Sequence, residues 1–208
     1  MILRAALAIL IDEGYQGLSM RQVAARCGLQ FGNLTYHYPS REALITELLE
    51  SVIRGYEVHG LAYLDKQTGS AEFRLTKMFA FGMADIRSRK TTHLFPELWA
   101  LANHDEFIAG RVQALYTWAR SPFEALIAEI RPDLPPTGCT ALAVLMSATM
   151  EGLTIFAGHG KPFEEWLPTF TRMACKAFLN LIRTIAMEDL IELAPLATSA
   201  PPVTPAGH

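Results

Sequence analysis

Residues 18 to 44, LSMRQVAARCGLQFGNLTYHYPSREAL, constrain the fold more than any other stretch of the chain. They hold two short helical patterns joined by a tight turn, with a polar and aromatic second helix and a hard stop behind it. Ser19 is a good N-cap for the first of these helices, and Gln22 stands three residues on, where an amide completes a capping box. Val23, Ala24 and Cys27 fall on one face and are expected to point inward. Gly28 ends that helix, because glycine takes positive φ without steric cost. The second helix spans about Gln30 to Tyr36 and stops before Pro39, since a residue preceding proline avoids the helical region. This is the layout of a helix-turn-helix, whose second helix enters the major groove of DNA.

The remainder is patterned for helices as well. A helix from about Ile2 to Glu13 carries Leu3, Leu7 and Leu10 on one face and ends at Gly14. Ser40 caps a long helix with the stripe Leu44, Ile45, Leu48, Leu49, Val52, Ile53 and Tyr56. A polar break at Asp65 to Ser70 precedes a helix from about Ala71 to Arg89, a short piece from about Leu94 to Ala102, and a helix from about Asp105 to Ile130 that Pro122 is expected to bend. After the loop Arg131 to Gly138, Thr140 to Ala157 is apolar nearly all round, and Phe163 to Ile191 repeats Phe170, Met173 or Ala174, Ala177, Leu181 and Ile185 as a packing seam. No run of alternating apolar residues suggests a sheet, so the fold class is all-α. The Pro/Ala/Thr-rich end, 194–208, is expected to be a disordered tail.

Composition excludes several classes. Half of the 208 residues are apolar, enough for a sizeable core, and the net charge is −3. Up to Arg54 basic and acidic side chains are equal in number, so the N-terminal part is no basic patch and phosphate contacts alone would supply limited affinity. Three widely spaced cysteines, Cys27, Cys139 and Cys175, fit neither a disulfide framework nor a zinc site; a cytoplasmic protein without cofactor or metal is expected. The apolar run at Ala5 to Ile11 meets Asp12 and Glu13 at once, unlike a signal peptide, and the uncharged stretch Leu134 to Met150 holds two prolines, so no membrane partner is expected. No GxSxG elbow, HExxH or P-loop is present; GHGK at 158–161 has the wrong spacing for phosphate, and His93 with Glu97 is too little for a metal. An enzyme is therefore the weaker reading, and a regulator that works by protein contact without DNA is a second alternative.

The patterns ILRAALAILIDEGYQGLSM, RQVAARCGL and NLTYHYPSREALI together resemble the N-terminal module of the TetR family of bacterial transcription regulators, with the densest match from Ile2 to Leu49. PELWALANHDEFIAGRVQALY and MSATMEGLTIFAGHG resemble segments of one broad subset of that family. The resemblance implies a three-helix helix-turn-helix domain at 1–45 and a C-terminal helical domain at 46–193 for ligand binding and dimerisation. It implies a ligand-responsive regulator, a repressor by family default, that binds a palindromic double-stranded operator as a homodimer. Three departures stand out. The basic arm usual before the first helix is either missing or encoded upstream of this start, Thr35 stands where an aromatic is common, and Phe31 stands where Lys, Arg or Pro is frequent.

Gln30 and Asn33 carry amides that can pair bidentately with adenine, Phe31 offers an apolar face to a thymine methyl, Thr35 can touch base or phosphate, and Gly32 permits close approach. By resemblance Tyr36, His37 and Arg41 contact the DNA backbone or support the helix; Ser19 and Arg21 are expected phosphate contacts. Tyr38 can equally be core. The resemblance further implies an effector pocket in the body, lined by Phe79, Met83, Phe95, Trp99, Tyr116, Met146, Met150 and Phe156, with Asn103, His104 and Glu151 as orienting polar groups. The homodimer is expected to form through the last two long helices, where Ala143, Ala148, Ala174 and Ala177 would permit close approach. Each of these residues can instead be plain core.

Overall fold

The computed structural model describes residues 1–64 and 68–190, with the side chains of Glu57, Leu61, Ala62 and Leu64 left aside. The expected break at 65–70 and the expected tail at 194–208 therefore lie partly or wholly outside the described residues. Nine α-helices follow one another among the described residues: α1 (Ile2–Gly17), α2 (Met20–Arg26), α3 (Phe31–His37), α4 (Arg41–Leu64), α5 (Ala71–Asp85), α6 (Arg89–Ala102), α7 (Glu106–Ile130), α8 (Pro136–Ala157) and α9 (Leu167–Thr184). Those residues contain no strand, and the all-α expectation holds.

Helix ends follow the capping chemistry. Ser19 Oγ accepts from Gln22 N and so caps α2, while the Gln22 side chain accepts from the serine hydroxyl at 2.8 Å, not from the Ser19 N–H that a full capping box would use. At its other end Gly28, at φ 66°, carries a Schellman closure in which Leu29 N donates to Ala24 O and Gly28 N donates to Ala25 O. Ser40 caps α4 through Ala43 N, and Asp105 caps α7 through Ile108 N. Gly14 breaks the helical dihedrals within α1 at φ 71°, where the sequence places the end of the helix; one further turn, to Gly17, follows the kink.

Several boundaries differ from expectation, and the last helix, expected over Phe163 to Ile191, begins at Leu167 and ends at Thr184. The helix after the break ends at Asp85, not Arg89, because Ser88 accepts from Thr91 N and starts α6 at Arg89. The short piece expected from Leu94 is thus a full helix, with Pro96 far enough in to matter and still accommodated. Likewise α8 begins at Pro136, inside the expected loop, because proline at the first helical position has no N–H to orphan. Pro122 lies within an unbroken α7.

Burial forms two main cores. One joins α1, α2, α3 and the first half of α4 through Ala6, Ile9, Leu18, Val23, Leu34, Leu44 and Leu48, and it also takes Leu94 and Leu98 from α6. The other fills the body with Leu75, Phe79, Met83, Ile127, Leu142, Met146 and Ile182. A small third cluster of Ile53, Phe95 and Leu115 lies on the same helices, α4, α6 and α7. Helix α6 thus belongs to the head's core as much as to the body.

The expected seam on the last helix is borne out in part, since Phe170, Ala174, Leu181 and Ile185 pack against the body core. Leu167, Phe178 and Ile182 enter the core, whereas Met173 is 62% exposed and Ala177 is exposed. Helix α8, long and apolar enough to span a bilayer by length and composition alone, splits in the same way. Cys139, Leu142, Ala143 and Met146 are buried, while Val144, Leu145, Ile155 and Phe156 are exposed. Ala143 is fully buried within the chain, so it cannot lie on a pairing surface as expected.

Candidate functional site

Helix α3 rests on one buried residue, Leu34, and turns everything else outward. Gln30, Gly32, Asn33 and His37 are exposed, Phe31 is 49% exposed and Tyr36 is 86% exposed. A bulky apolar ring and a tyrosine held in water without covering neighbours form a surface shaped for a partner. Gln30 is the N-cap of α3 and makes no side-chain capping bond, which leaves its amide free to reach outward. Thr35 Oγ1 donates back to Gly32 O at 3.1 Å, and the Tyr36 and His37 rings meet edge to face. Ser19 and Arg21 are exposed at the start of α2.

Two of the head's arginines are committed internally. Arg26 reaches Asp12 and Glu13 at 3.3 and 3.6 Å. Arg41 places its guanidinium 3.9 Å from the Tyr15 ring centroid and donates through Nη2 to Tyr15 O. It ties the start of α4 to the end of α1, so it shapes the head whether or not it also meets DNA. Arg4 and Arg21 have no ion pair among the described residues and remain available to phosphate. Tyr38, half-buried, packs on the head's core, and burial together with Glu47 raises its hydroxyl pKa.

A second feature is a cavity of about 520 Å³ in the body. Its walls come from α4 (Tyr56, His59, Tyr63), α5 (Phe81, Asp85), α6 (Lys90, Thr91, Phe95), α7 (Tyr116, Trp118) and α8 (Met150, Glu151). Of the pocket residues expected from sequence, Phe95, Tyr116, Met150 and Glu151 meet here. Phe79, Met83 and Met146 are each 1% exposed inside the body core and do not line the cavity. Trp99 stands behind the wall, donating from Nε1 to Tyr116 Oη at 2.9 Å. Asn103 caps the end of α6, and His104 lines a separate cleft beside Tyr15 and Glu97. Phe156 is 57% exposed and outside the cavity; five residues beyond Glu151 it stands about 140° around the helix.

The α4 contribution and the acid–base pair Asp85 and Lys90 were not anticipated. In the sequence Tyr56 ends a core stripe, yet its hydroxyl reaches Asp85 Oδ2 at 3.4 Å and Thr91 Oγ1 at 3.1 Å. Burial and Asp85 raise the Tyr56 hydroxyl pKa well above its ordinary value. Lys90 hangs its ammonium 4.3 Å from the Tyr56 ring centroid, and burial lowers its pKa against the pull of Asp85. Burial pushes the Glu151 carboxyl up to about 7, with the Tyr116 hydroxyl acting in the opposite direction.

Helix α6 joins these two places. Arg89, His93 and Glu97, four residues apart, lie along one side of it: Arg89 pairs with Asp12 at 2.6 Å, His93 Nδ1 meets Ile11 O at 3.1 Å, and Glu97 Oε2 accepts from Tyr15 N at 2.9 Å. Gly14 matters here, since a Cβ at that position would stand 3.0 Å from Glu97 Oε1. Lys90, Thr91 and Phe95 on another side of the helix line the cavity. His93 and Glu97, weighed above as metal ligands, are therefore docking groups, and the described residues contain no cluster of three metal-ligating side chains.

Comparison with known proteins agrees with this anatomy. Residues 2–48 match the family of bacterial regulatory proteins of the TetR type, and residues 71–183, over half the chain, match the C-terminal domain of BetI-type transcriptional repressors. A helix-turn-helix regulator from the dhlA 5′ region of Xanthobacter autotrophicus is 25% identical over 162 residues, 75% of this chain and 77% of that one. The class A tetracycline repressor of transposon 1721 from Escherichia coli is 33% identical over 64 residues, 31% of this chain and 30% of that one. Among solved structures, a transcriptional regulator from Saccharomonospora viridis in complex with choline superimposes with TM-score 0.71 at 18% identity, covering 88% of this chain and 94% of its own. Salmonella enterica GusR gives 0.68 at 20%, over 88% and 94%. The chain belongs to the TetR family of bacterial transcription regulators. It is a DNA-binding regulator with a helix-turn-helix head, not an enzyme.

Proposed function

We propose that this chain is a cytoplasmic, ligand-responsive repressor that binds a palindromic operator as a homodimer and leaves it when a small, largely apolar effector enters the body cavity. The observation that carries the reading is the shared helix α6, which holds the head through Arg89, His93 and Glu97 and walls the cavity with Lys90, Thr91 and Phe95. A ligand that displaces the cavity wall moves a helix on which α1 is pinned. The shift in operator affinity is then limited to the ligand's preference between the two arrangements. The choline complex of the Saccharomonospora relative is the precedent for a small organic ligand in this fold.

The reading of bases falls to Gln30, Phe31, Asn33 and Thr35, with Ser19, Arg21, Tyr36 and His37 on the backbone and Arg41 setting the geometry of the head. One such helix covers only a few base pairs, so two must lie about 34 Å apart on one face of the duplex. The outward sides of α8 and α9 support the pairing. Leu145, Ala148 and Ile155 on α8 and Trp166, Met173 and Ala177 at α9 expose a run of apolar and small side chains that a second copy would cover. Selection of duplexes from a random pool by the purified protein tests this. Enrichment of an inverted repeat, bound by two chains and released by compounds that fill the cavity, is the expected outcome; enrichment of nothing, or of a lone half-site bound by one chain, would sink it.

A further inference from the structure

The cavity has an uneven distribution of charge. Among the described residues one lysine, Lys90, lines it and faces Asp85, and Asp85 is further satisfied by the Thr91 hydroxyl at 2.6 Å. Glu151, projecting from α8, has no cation within ion-pair distance among the described residues. The groups that face it are the Tyr116 hydroxyl from α7, the Tyr56 hydroxyl from α4 and Asp85 from α5; Lys90 of α6 and His59 and Tyr63 of α4 complete the titratable lining among the described residues. Around these stand aromatic rings from four helices, Tyr56, Phe81, Phe95, Tyr116 and Trp118. Lys90 already lays a cation 4.3 Å from one of them, so the wall has the geometry that attracts positive charge to a π face.

We propose that the effector is an organic cation with apolar bulk, its positive charge set against the aromatic wall and paired with the Glu151 carboxylate, which gives up its proton when the ligand enters. The inference rests on the cavity's being the effector site. A volume of about 520 Å³ exceeds what a bare small ammonium fills and suits a drug-sized molecule. An anion would meet Asp85 and Glu151. A neutral ligand leaves Glu151 protonated and gains at most a hydrogen bond from it, with no ion pair. A buried carboxyl held near pH 7 by desolvation regains its ordinary acidity when a cation is placed beside it, so binding and proton release are one event.

The probes are 4-(hydroxymethyl)benzyltrimethylammonium, whose charge does not titrate, and its neutral isostere with carbon in place of the ammonium nitrogen. Calorimetry on the native chain in buffers of different ionisation heat, at pH 5.5 and 8.0, should show cation affinity rising about 30-fold with pH. About one proton should be released per cation at the lower pH, and the isostere should change little. Glu151→Gln should remove most of the pH dependence and bring the two probes closer together. Cation affinity that ignores pH, or an isostere that binds as tightly as the cation at pH 8.0, overturns the proposal without need of the variant. If the isostere binds and weakens operator binding while the cation does not, the effector reading stands and the charge assignment falls. If neither binds, both fall.

Discussion

On α3 the side chains of Asn33, Tyr36 and His37 stand in solvent over a single buried leucine, whereas across the cavity Glu151, Tyr116 and Tyr56 are desolvated and their pKa values are driven upward. The first region makes few commitments within the chain. Its amides and rings keep their hydrogen-bonding capacity for a partner, and changes there should cost binding rather than folding. The second region is already part of a packed body, and its polar groups are costly where they stand. Charge or shape altered there should register in stability and in pH dependence before any ligand is added. A regulator needs both kinds of surface, one that reads at no structural expense and one whose internal strain a ligand can relieve.

The sharpest contrast lies between Leu34 and its exposed neighbours. Leu34→Ala empties a fully buried position beneath α3 and should lower unfolding free energy by about 3 kcal/mol, read by urea melting. Asn33→Ala, one residue away, should leave that melt within about 0.5 kcal/mol of native. Equal losses at the two positions would mean that α3 is not an open reading face.

Glu151→Gln sets the cavity against the head. The native carboxyl titrates at about 7 instead of 4.5, so the folded state keeps a proton that the unfolded chain has lost. Stability from this group is therefore fully present below pH 4.5 and is lost as pH rises towards 7. Urea melts at pH 5 and pH 8 should show the native chain losing about 2 kcal/mol more than the variant over that range, after allowance for partial solvent access. An identical pH response in the two chains would contradict the desolvated site.

Substitutions on the reading face come next. Asn33→Ala should cost about 2 kcal/mol, roughly thirtyfold, on the preferred duplex and relax the preference at one base pair. Arg41→Ala should weaken all duplexes alike and also soften the head by about 1 kcal/mol, because it removes the stack on Tyr15 and the bond to its carbonyl. Gel-shift titrations beside thermal melts separate the two; a base-specific effect at Arg41 with an unchanged melt would reverse their roles. The smallest effect is expected at the joint. Glu97→Gln weakens the charge-assisted bond from Tyr15 N and should reduce the factor by which effector lowers operator affinity, with either affinity alone changed by less than about 1 kcal/mol.

The head was largely legible because its instructions are local. Ser19, Gly28 and Ser40 act on backbone groups a few residues away, and each does in the structure what its chemistry dictates. The body was less so, because its partners are far apart in sequence. Nothing near Tyr56 announces Asp85, and nothing near Glu97 announces the amide of Tyr15, 82 residues earlier. Periodicity placed Phe170, Ala174, Leu181 and Ile185 on the packed side of the last helix but not the edge of that stripe: Met173 and Ala177 look outward while Phe178 and Ile182 look in, a choice made by packing against α5 and α7. Phe79, Met83 and Met146 have the same chemistry as cavity residues and sit one helical face away from it. Arg89 shows the limit from another side, for a strong serine cap at Ser88 outweighed a pattern that continued through it.

In the proposed homodimer the distance between the two copies of α3 decides whether both heads meet one duplex. Spin labels at Ala25→Cys, an exposed position on α2 outside the proposed DNA contacts, in a chain whose Cys27, Cys139 and Cys175 are replaced, would follow it by pulsed dipolar spectroscopy. We expect one narrow distribution on operator duplex that shifts and broadens when a ligand fills the cavity. Absence of any inter-chain distance, or a distribution that ligand leaves untouched while the duplex is released, would contradict it.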